Sequence, residues 1–170
     1  VSQPEIREVN RIVVRFAGDS GDGMQLTGER FTSASALFGN DLATLPEFPA
    51  EIRAPQGTLA GVSAFQVQVS DHDITTPGDA PNVLVAMNPA ALKNELSKLE
   101  EAGTIIVNRD TFEERNLKKA GYEDNPLETG ELSGYTLFEV PMTSLTKEVC
   151  KGIEGIKPRD AERSKNFFAL

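Results

Sequence analysis

The sequence predicts an α/β fold, an open and mainly parallel sheet of about five or more strands with helices on both faces. Three observations carry that reading. Strand-like apolar runs alternate with helical patterns along the chain. Two of the runs, 82–87 (NVLVAM) and 104–107 (TIIV), are continuously apolar, as strands covered on both faces of a parallel sheet are. The first run leads through a glycine-rich turn straight into a helix.

Residues 11–17 (RIVVRFA) form that first strand, and 18–23 (GDSGDG) break it into a tight turn. From Met24 onward, Met24, Thr27, Phe31, Ala34 and Phe38 recur at three- and four-residue steps, one face of a helix that Gly39 and Asn40 can end. A stretch over 45–61 then carries Pro46, Pro49, Pro55, Gly57 and Gly61, too broken for a helix or central strand. It reads as a long ordered contact loop, with Glu47, Glu51 and Arg53 among apolar residues.

Residues 62–69 (VSAFQVQV) alternate apolar and polar, which predicts a strand with one solvated or partner-facing side, towards an edge. Between the two apolar strands, Asn88 caps a helix over 89–99, Pro89 suits its first position, and Leu92, Leu96 and Leu99 form its buried stripe. Residues 135–140 (YTLFEV) supply a last strand. Thr143 or Ser144 then caps an amphipathic helix containing Leu145, Val149 and Cys150. No internal repeat or low-complexity segment interrupts this order, and the sum is a Rossmann-like sheet.

With 170 residues and 39% hydrophobic content, one domain spanning 1–170 is expected to bury its own core. The formal net charge of −9 argues against a nucleic-acid partner, which needs clustered Lys and Arg to displace counterions. Cys150 is the only cysteine, so an internal disulfide, a four-cysteine zinc site and a four-thiolate iron–sulfur cluster are ruled out. A cytoplasmic location is the inference. The polar start (VSQPEIREVN) holds no hydrophobic signal core, and no apolar run is long enough to span a membrane. The finish (PRDAERSKNFFAL) stops on an apolar helical pattern and reads as cut or joined to further chain.

The glycine turn is the first place to look for chemistry, since such turns bring backbone N–H groups against phosphates. Gly21 and Gly23 fit the start of a dinucleotide fingerprint, but Leu26 stands where the third glycine belongs and Gly28 comes two positions late. Asp19 and Asp22 place carboxylates where a diphosphate would sit, with Asp22 a helix cap instead. A turn whose glycines serve packing is the stronger reading. His72, the lone histidine, lies in the acidic loop SDHDITTPGD, read as solvated because no second histidine completes a ligand or triad set. Cys150 reads as core, not nucleophile.

Taken together, GDSGDGMQLTG and LPEFPAEIRAPQGTL, followed by the strand GVSAFQVQVSD, resemble the gamma domain of the 2-oxoacid:ferredoxin oxidoreductases. The matching features are Gly18, Gly21, Gly23 and Gly28 after the opening strand, and the P-x-E-x-R segment of Pro49, Glu51 and Arg53. APNVLVAMNPAAL and GTIIVN resemble the family's next strands and helix. The resemblance is closest to the N-terminal part of the alpha subunit of the 2-oxoglutarate-type enzymes. Ala54 and Pro55 depart from it, standing where many gamma domains have paired glycines, as do the two aspartates of the turn.

The resemblance implies an enzyme that interconverts a 2-oxoacid and coenzyme A with acyl-CoA, carbon dioxide and reduced ferredoxin. That enzyme uses thiamine diphosphate, Mg²⁺, iron–sulfur clusters and coenzyme A. For this chain it implies an accessory, non-catalytic domain that binds none of these alone, packs on the remaining alpha-subunit domains and the thiamine-diphosphate-binding beta subunit, and covers the coenzyme A approach. Gly21, Gly23, Gly28, Glu51 and Arg53 are the implied contact residues. Arg53 can grip a partner's carboxylate or phosphate in bidentate fashion, or hold Glu47 or Glu51 within its own loop. Two other readings stand beside it: a freestanding nucleotide- or coenzyme-binding module, and a purely structural subunit interface.

Overall fold

The computed structural model describes residues 8–49 and 61–170. In chain order the elements are β1 (Arg11–Asp19), α1 (Met24–Leu37), β2 (Asp41–Glu47), β3 (Val62–Ser70), β4 (Val83–Ala86) and α2 (Pro89–Glu95), which runs on into a 3-10 turn at Leu96–Lys98. They continue as β5 (Thr104–Asn108), α3 (Glu114–Lys119), β6 (Thr136–Val140), α4 (Met142–Cys150), α5 (Pro158–Arg163) and α6 (Lys165–Phe168).

The strands form one six-stranded sheet in the order β2-β3-β1-β4-β5-β6. β1 with β4, β4 with β5 and β5 with β6 pair in parallel, and β3 runs antiparallel to both β1 and β2. Only β3 opposes the common direction, so the open, mainly parallel α/β sheet expected from the sequence is the one found. The two faces hold separate cores. Val14, Phe16, Val85 and Met87 pack with Met24 of α1 and Met142 of α4 on one side. Ala17, Leu84, Ala86, Ile105 and Val107 pack with Ala91 and Leu92 of α2 and Leu117 of α3 on the other.

Several expectations need correction. Leu45, Pro46 and Glu47 do not begin a loop. They finish the edge strand β2, whose ladder with β3 pairs Leu45 with Gln66 and Pro46 with Phe65, and an edge position tolerates a proline. The segment beyond it, including Glu51, Arg53, Ala54 and Pro55, lies outside the described residues. β3 is not at an edge and has no solvated side: β2 and β1 flank it, and Ser63, Gln66 and Gln68 are buried along with its apolar residues. The apolar stripe of α1 fades along its length. Met24 and Thr27 are buried, whereas Ala34 is exposed and Phe38 is 84% exposed. Gly39, at φ 82°, ends the helix as expected, its N–H bonded to the Ala36 carbonyl.

Asn88 caps α2 as predicted, its side chain accepting from Ala91 N at 2.9 Å. α4 is capped differently. Its own Thr143 and Ser144 do not cap it; Oδ1 of Asn108, the last residue of β5, and Oδ2 of Asp110, in the 3-10 turn Arg109–Thr111 that follows, accept from Thr143 N and Ser144 N at 3.4 and 2.6 Å. Cys150 is half-buried at the end of α4, and Val149 is exposed.

One of the buried polar residues of β3, Gln66, serves Arg15. This residue of β1 is 1% exposed. Its Nε donates to Glu95 Oε2 at 2.5 Å, its Nη2 to Glu47 Oε2 at 2.5 Å and its Nη1 to Gln66 Oε1 at 3.3 Å. Lys98 Nζ adds a second cation, 3.0 Å from Glu95 and 3.3 Å from Glu47. Burial opposes the guanidinium's charge, but the hydrogen bonds to Glu47 and Glu95 outweigh it and hold the Arg15 pKa above its ordinary value. At Glu47 burial pushes the carboxyl up, while the hydrogen bond from Arg15 and the fields of Arg15 and Lys98 win and hold it below the usual carboxylate range.

Arg15→Met leaves the buried Glu95 carboxylate with only the half-exposed Lys98 as a partner and takes the donor from Gln66 Oε1, and should cost about 3 kcal/mol in urea denaturation, the low end of what breaking a buried ion pair costs. The folded Glu47 carboxyl titrates below its unfolded value, so its contribution is full above the usual carboxylate range and is lost as pH falls through the depressed value. Glu47→Gln should therefore flatten the acid side of the stability-against-pH curve, leaving less further loss there than in the unsubstituted protein.

Candidate functional site

β1 sends its chain to α1 on one face of the sheet, and its parallel neighbour β4 sends its chain to α2 on the other. Ligands of open α/β sheets sit outside the carboxyl ends of the strands where the connections diverge in this way. A crevice of about 330 Å³ lies at that place. Asp19 and Asp22 line it from the glycine turn, Asn88 from the end of β4, Thr111 from beyond β5, Lys119 from α3 and Lys165 from α6.

Asn88 joins the two sides. While its Oδ1 caps α2, its Nδ2 donates to Asp19 Oδ1 at 2.9 Å and to Asp22 Oδ2 at 3.3 Å. Asp22 Oδ2 also accepts from Asp19 N at 3.0 Å, and Asp22 N donates to the Asp19 carbonyl at 2.9 Å. Asp22 thus folds back into the turn and does not cap α1, correcting the sequence expectation. The N-cap of α1 is Gly23, which carries no side-chain cap. The walls of the crevice desolvate the Asp19 carboxyl and Asp22 repels its charge; these outweigh the help of Asn88, Lys165 and Lys119, and the Asp19 pKa is raised.

The three glycines singled out from the sequence answer to different demands. A Cβ on Gly28 would lie 2.1 Å from the Phe65 ring, so this position holds α1 close on β3. Gly23 has φ 74°, and a Cβ there would lie 2.7 Å from Asn166 Nδ2. Gly21 is exposed, and a Cβ there would meet nothing within 4 Å. Glu51 and Arg53 fall outside the described residues, so the structure does not place them beside the turn.

His72 is at the other end of the sheet, after Ser70, which pairs with Arg11 at the start of β1. Its Nδ1 lies 2.7 Å from Asp71 Oδ1 and 2.9 Å from Ser70 Oγ, and its side chain is 62% exposed. Among the described residues no group of three or more His, Cys, Asp or Glu side chains converges as a metal site requires. With one cysteine in the chain, the donor set does not fit an iron–sulfur cluster held by four thiolates. No helix among the described residues is long and apolar enough to cross a membrane.

Sequence reasoning missed Thr111, Lys119, Lys165 and the second role of Asn88. The rule that sites gather at carboxyl ends of parallel strands points to Asn88, immediately beyond β4. Nothing local marks Lys165.

The family model for pyruvate ferredoxin/flavodoxin oxidoreductase matches residues 13–170. The chain belongs to this family. The 2-oxoglutarate oxidoreductase subunit KorA of Mycobacterium tuberculosis is 60% identical over 167 residues, 98% of this chain and 25% of that subunit. The 2-oxoglutarate synthase subunit KorC of Methanothermobacter marburgensis is 31% identical over 137 residues, 79% of this chain and 66% of that one.

Among solved structures, the 2-oxoglutarate:ferredoxin oxidoreductase of Magnetococcus marinus, with 2-oxoglutarate, coenzyme A and succinyl-CoA bound, superposes with a TM-score of 0.67. It is 26% identical, and the match covers 96% of this chain and 24% of that one. The gamma subunit of a keto/oxoacid ferredoxin oxidoreductase from Geobacter sulfurreducens shares the fold at a TM-score of 0.60 and 18% identity, over 93% of this chain and 71% of that one. The chain spans about a quarter of the length of KorA and of the Magnetococcus chain. The family recognised from the glycine turn and the proline-rich segment is thereby borne out.

The pyruvate ferredoxin/flavodoxin oxidoreductase domain should respond unequally to alanine at its glycines. Gly28→Ala forces a methyl into the Phe65 ring and should cost about 1–3 kcal/mol, whereas Gly21→Ala should stay within about 0.5 kcal/mol of the unsubstituted protein. Urea denaturation of both variants checks the contrast.

Proposed function

We propose that this chain is the gamma domain of a thiamine-dependent 2-oxoglutarate:ferredoxin oxidoreductase, the enzyme that interconverts 2-oxoglutarate and coenzyme A with succinyl-CoA, carbon dioxide and reduced ferredoxin. The observation that carries the proposal is the 60% identity to KorA across 98% of the chain. In the intact cytoplasmic enzyme residues 1–170 act as one domain, continuing into a thiamine-binding domain of the same subunit. The thiamine-diphosphate-binding beta subunit completes the enzyme, and ferredoxin takes the electrons. Thiamine diphosphate, Mg²⁺ and the iron–sulfur cluster are held outside this domain, which packs on the catalytic domains and covers the approach of coenzyme A.

The glycine turn is the coenzyme A side in this reading. Gly28 and Gly23 are accounted for by Phe65 and Asn166 within the chain, whereas the open face of Gly21 leaves its backbone free for a group from outside. Glu51 and Arg53 are proposed as contacts with a partner domain or with coenzyme A.

The test uses the full-length subunit purified with its beta partner. Ferredoxin reduction should require both 2-oxoglutarate and coenzyme A, with 2-oxoglutarate preferred over pyruvate by roughly tenfold or more in kcat/KM. Equal turnover of pyruvate would overturn the substrate, and turnover without coenzyme A would overturn the reaction. Calorimetric titration of the 170-residue chain alone separates the rival class, because tight binding of NAD or ATP would make it a freestanding nucleotide module.

A further inference from the structure

The C-terminal helices lie across the strand-end crevice and reach the glycine turn. Lys165 Nζ is 3.0 Å from Asp22 Oδ1, and both side chains are largely covered, at 17% and 14% exposed. The next residue continues the contact. The Asn166 carbonyl accepts from Thr27 Oγ1 of α1 at 3.2 Å, and the buried Asn166 side chain fills the space that the missing Cβ of Gly23 leaves. Ala169 packs on the cluster formed by Phe16 and Met24. The segment after α4 therefore holds the turn that follows β1.

Charge gives this contact a consequence. A hollow of about 340 Å³ over Gly21 is bordered by Asp22, Arg159, Glu162, Arg163 and Lys165. Both of its carboxylates have partners, Asp22 in Lys165 and Glu162 in Lys147 at 3.2 Å. Arg159 and Arg163 have no ion-pair partner among the described residues. With Lys165 in place, the unpaired charge bordering this hollow among the described residues is positive, although the turn itself is acidic. Without it, Asp22 would face any incoming anion, in a partly desolvated site where like charges repel strongly.

Resting on the coenzyme A side described above, we propose that Lys165 is a positioning residue. Its clasp on Asp22 holds the glycine turn and neutralises the carboxylate that borders the hollow, so that the phosphate groups of coenzyme A can approach the open face of Gly21. The lysine acts through Asp22 and need not touch the coenzyme.

The experiment takes the complete enzyme with its beta partner and combines steady-state kinetics with hydrogen–deuterium exchange over residues 22–27, measured without coenzyme A. Lys165→Gln should raise the KM for coenzyme A roughly threefold to tenfold and leave kcat within roughly twofold. Lys165→Arg should restore it. Asp22→Asn combined with Lys165→Gln should recover most of the loss, because removing both charges also removes the repulsion. Exchange over residues 22–27 should rise in Lys165→Gln and not in Lys165→Arg. Unchanged exchange in Lys165→Gln overturns the clasp, whatever the kinetics show. A double variant as weak as Lys165→Gln overturns the neutralising role. Raised exchange with an unchanged coenzyme A KM in every variant overturns the coenzyme A side while leaving the clasp. Failure of the oxidoreductase reading would show separately, as an unsubstituted enzyme without coenzyme A-dependent turnover.

Discussion

Arg15 lies in a central strand with 1% of its surface exposed, and a charge in that position is tolerable only where its donors find acceptors. Each acceptor comes from a different element. Glu95 comes from α2, Glu47 from the edge strand β2 and Gln66 from β3. The guanidinium therefore fixes the placement of α2 on the sheet and the register of β2 and β3 against β1, a directional constraint that hydrophobic contact alone does not impose. Gln66 carries it one step further, since its Nε2 donates to the carbonyls of Pro77 and Gly78 at 3.0 and 2.9 Å and secures the connection from β3 to β4.

The two faces of the sheet are consequently unlike. Near β1 and β3 the α2 side is a polar core closed over by Glu95 and Lys98, and near β4 and β5 it becomes apolar. The α1 side is apolar around Phe16, where the Phe31 ring meets it edge-on at 5.4 Å. The crevice opens at the carboxyl ends of β1 and β4, where the chain passes to opposite faces. Its polar rim meets backbone needs: Asn88 caps α2, Asp22 closes the turn and the Thr111 hydroxyl bonds the Met87 carbonyl at 2.9 Å.

What could be read from the sequence depended on whether an element's partner lies close along the chain. β1, β4, β5 and β6 were legible from apolar content, and α2 was legible together with its Asn88 cap, because strand pattern and helix cap are local signals. β2 was not. Its pattern is interrupted by Pro46 and half-exposed throughout, and it exists through its ladder with β3. The alternation in β3 identifies a strand, but its polar residues are buried, Gln66 against Arg15 and Ser63 against Gln25 of α1, and no local rule distinguishes that from water. The cap of α4 was missed because Asn108 and Asp110, well upstream, supply the acceptors. In the site, the glycine turn and the family it belongs to were legible, whereas Lys165 and Asn166 reach it only through tertiary packing.

The glycine turn shows why spacing alone was a poor guide to what the turn does. A fingerprint treats its glycines as one signal, yet Gly28 answers to the Phe65 ring, Gly23 to a left-handed backbone beneath Asn166, and Gly21 to nothing inside the described chain. Gly18 adds a fourth reason, since a Cβ there would lie 2.9 Å from the Asp22 oxygen that closes the turn. Asp19 and Asp22, taken by themselves, make the turn repel anions. In the fold Asn88 donates to both and Lys165 pairs with Asp22, so the charge of Asp22 is balanced while Asp19 keeps only a neutral amide as partner. The ligand preference of such a turn is a property of what packs around it, and here part of that packing comes from the far end of the chain.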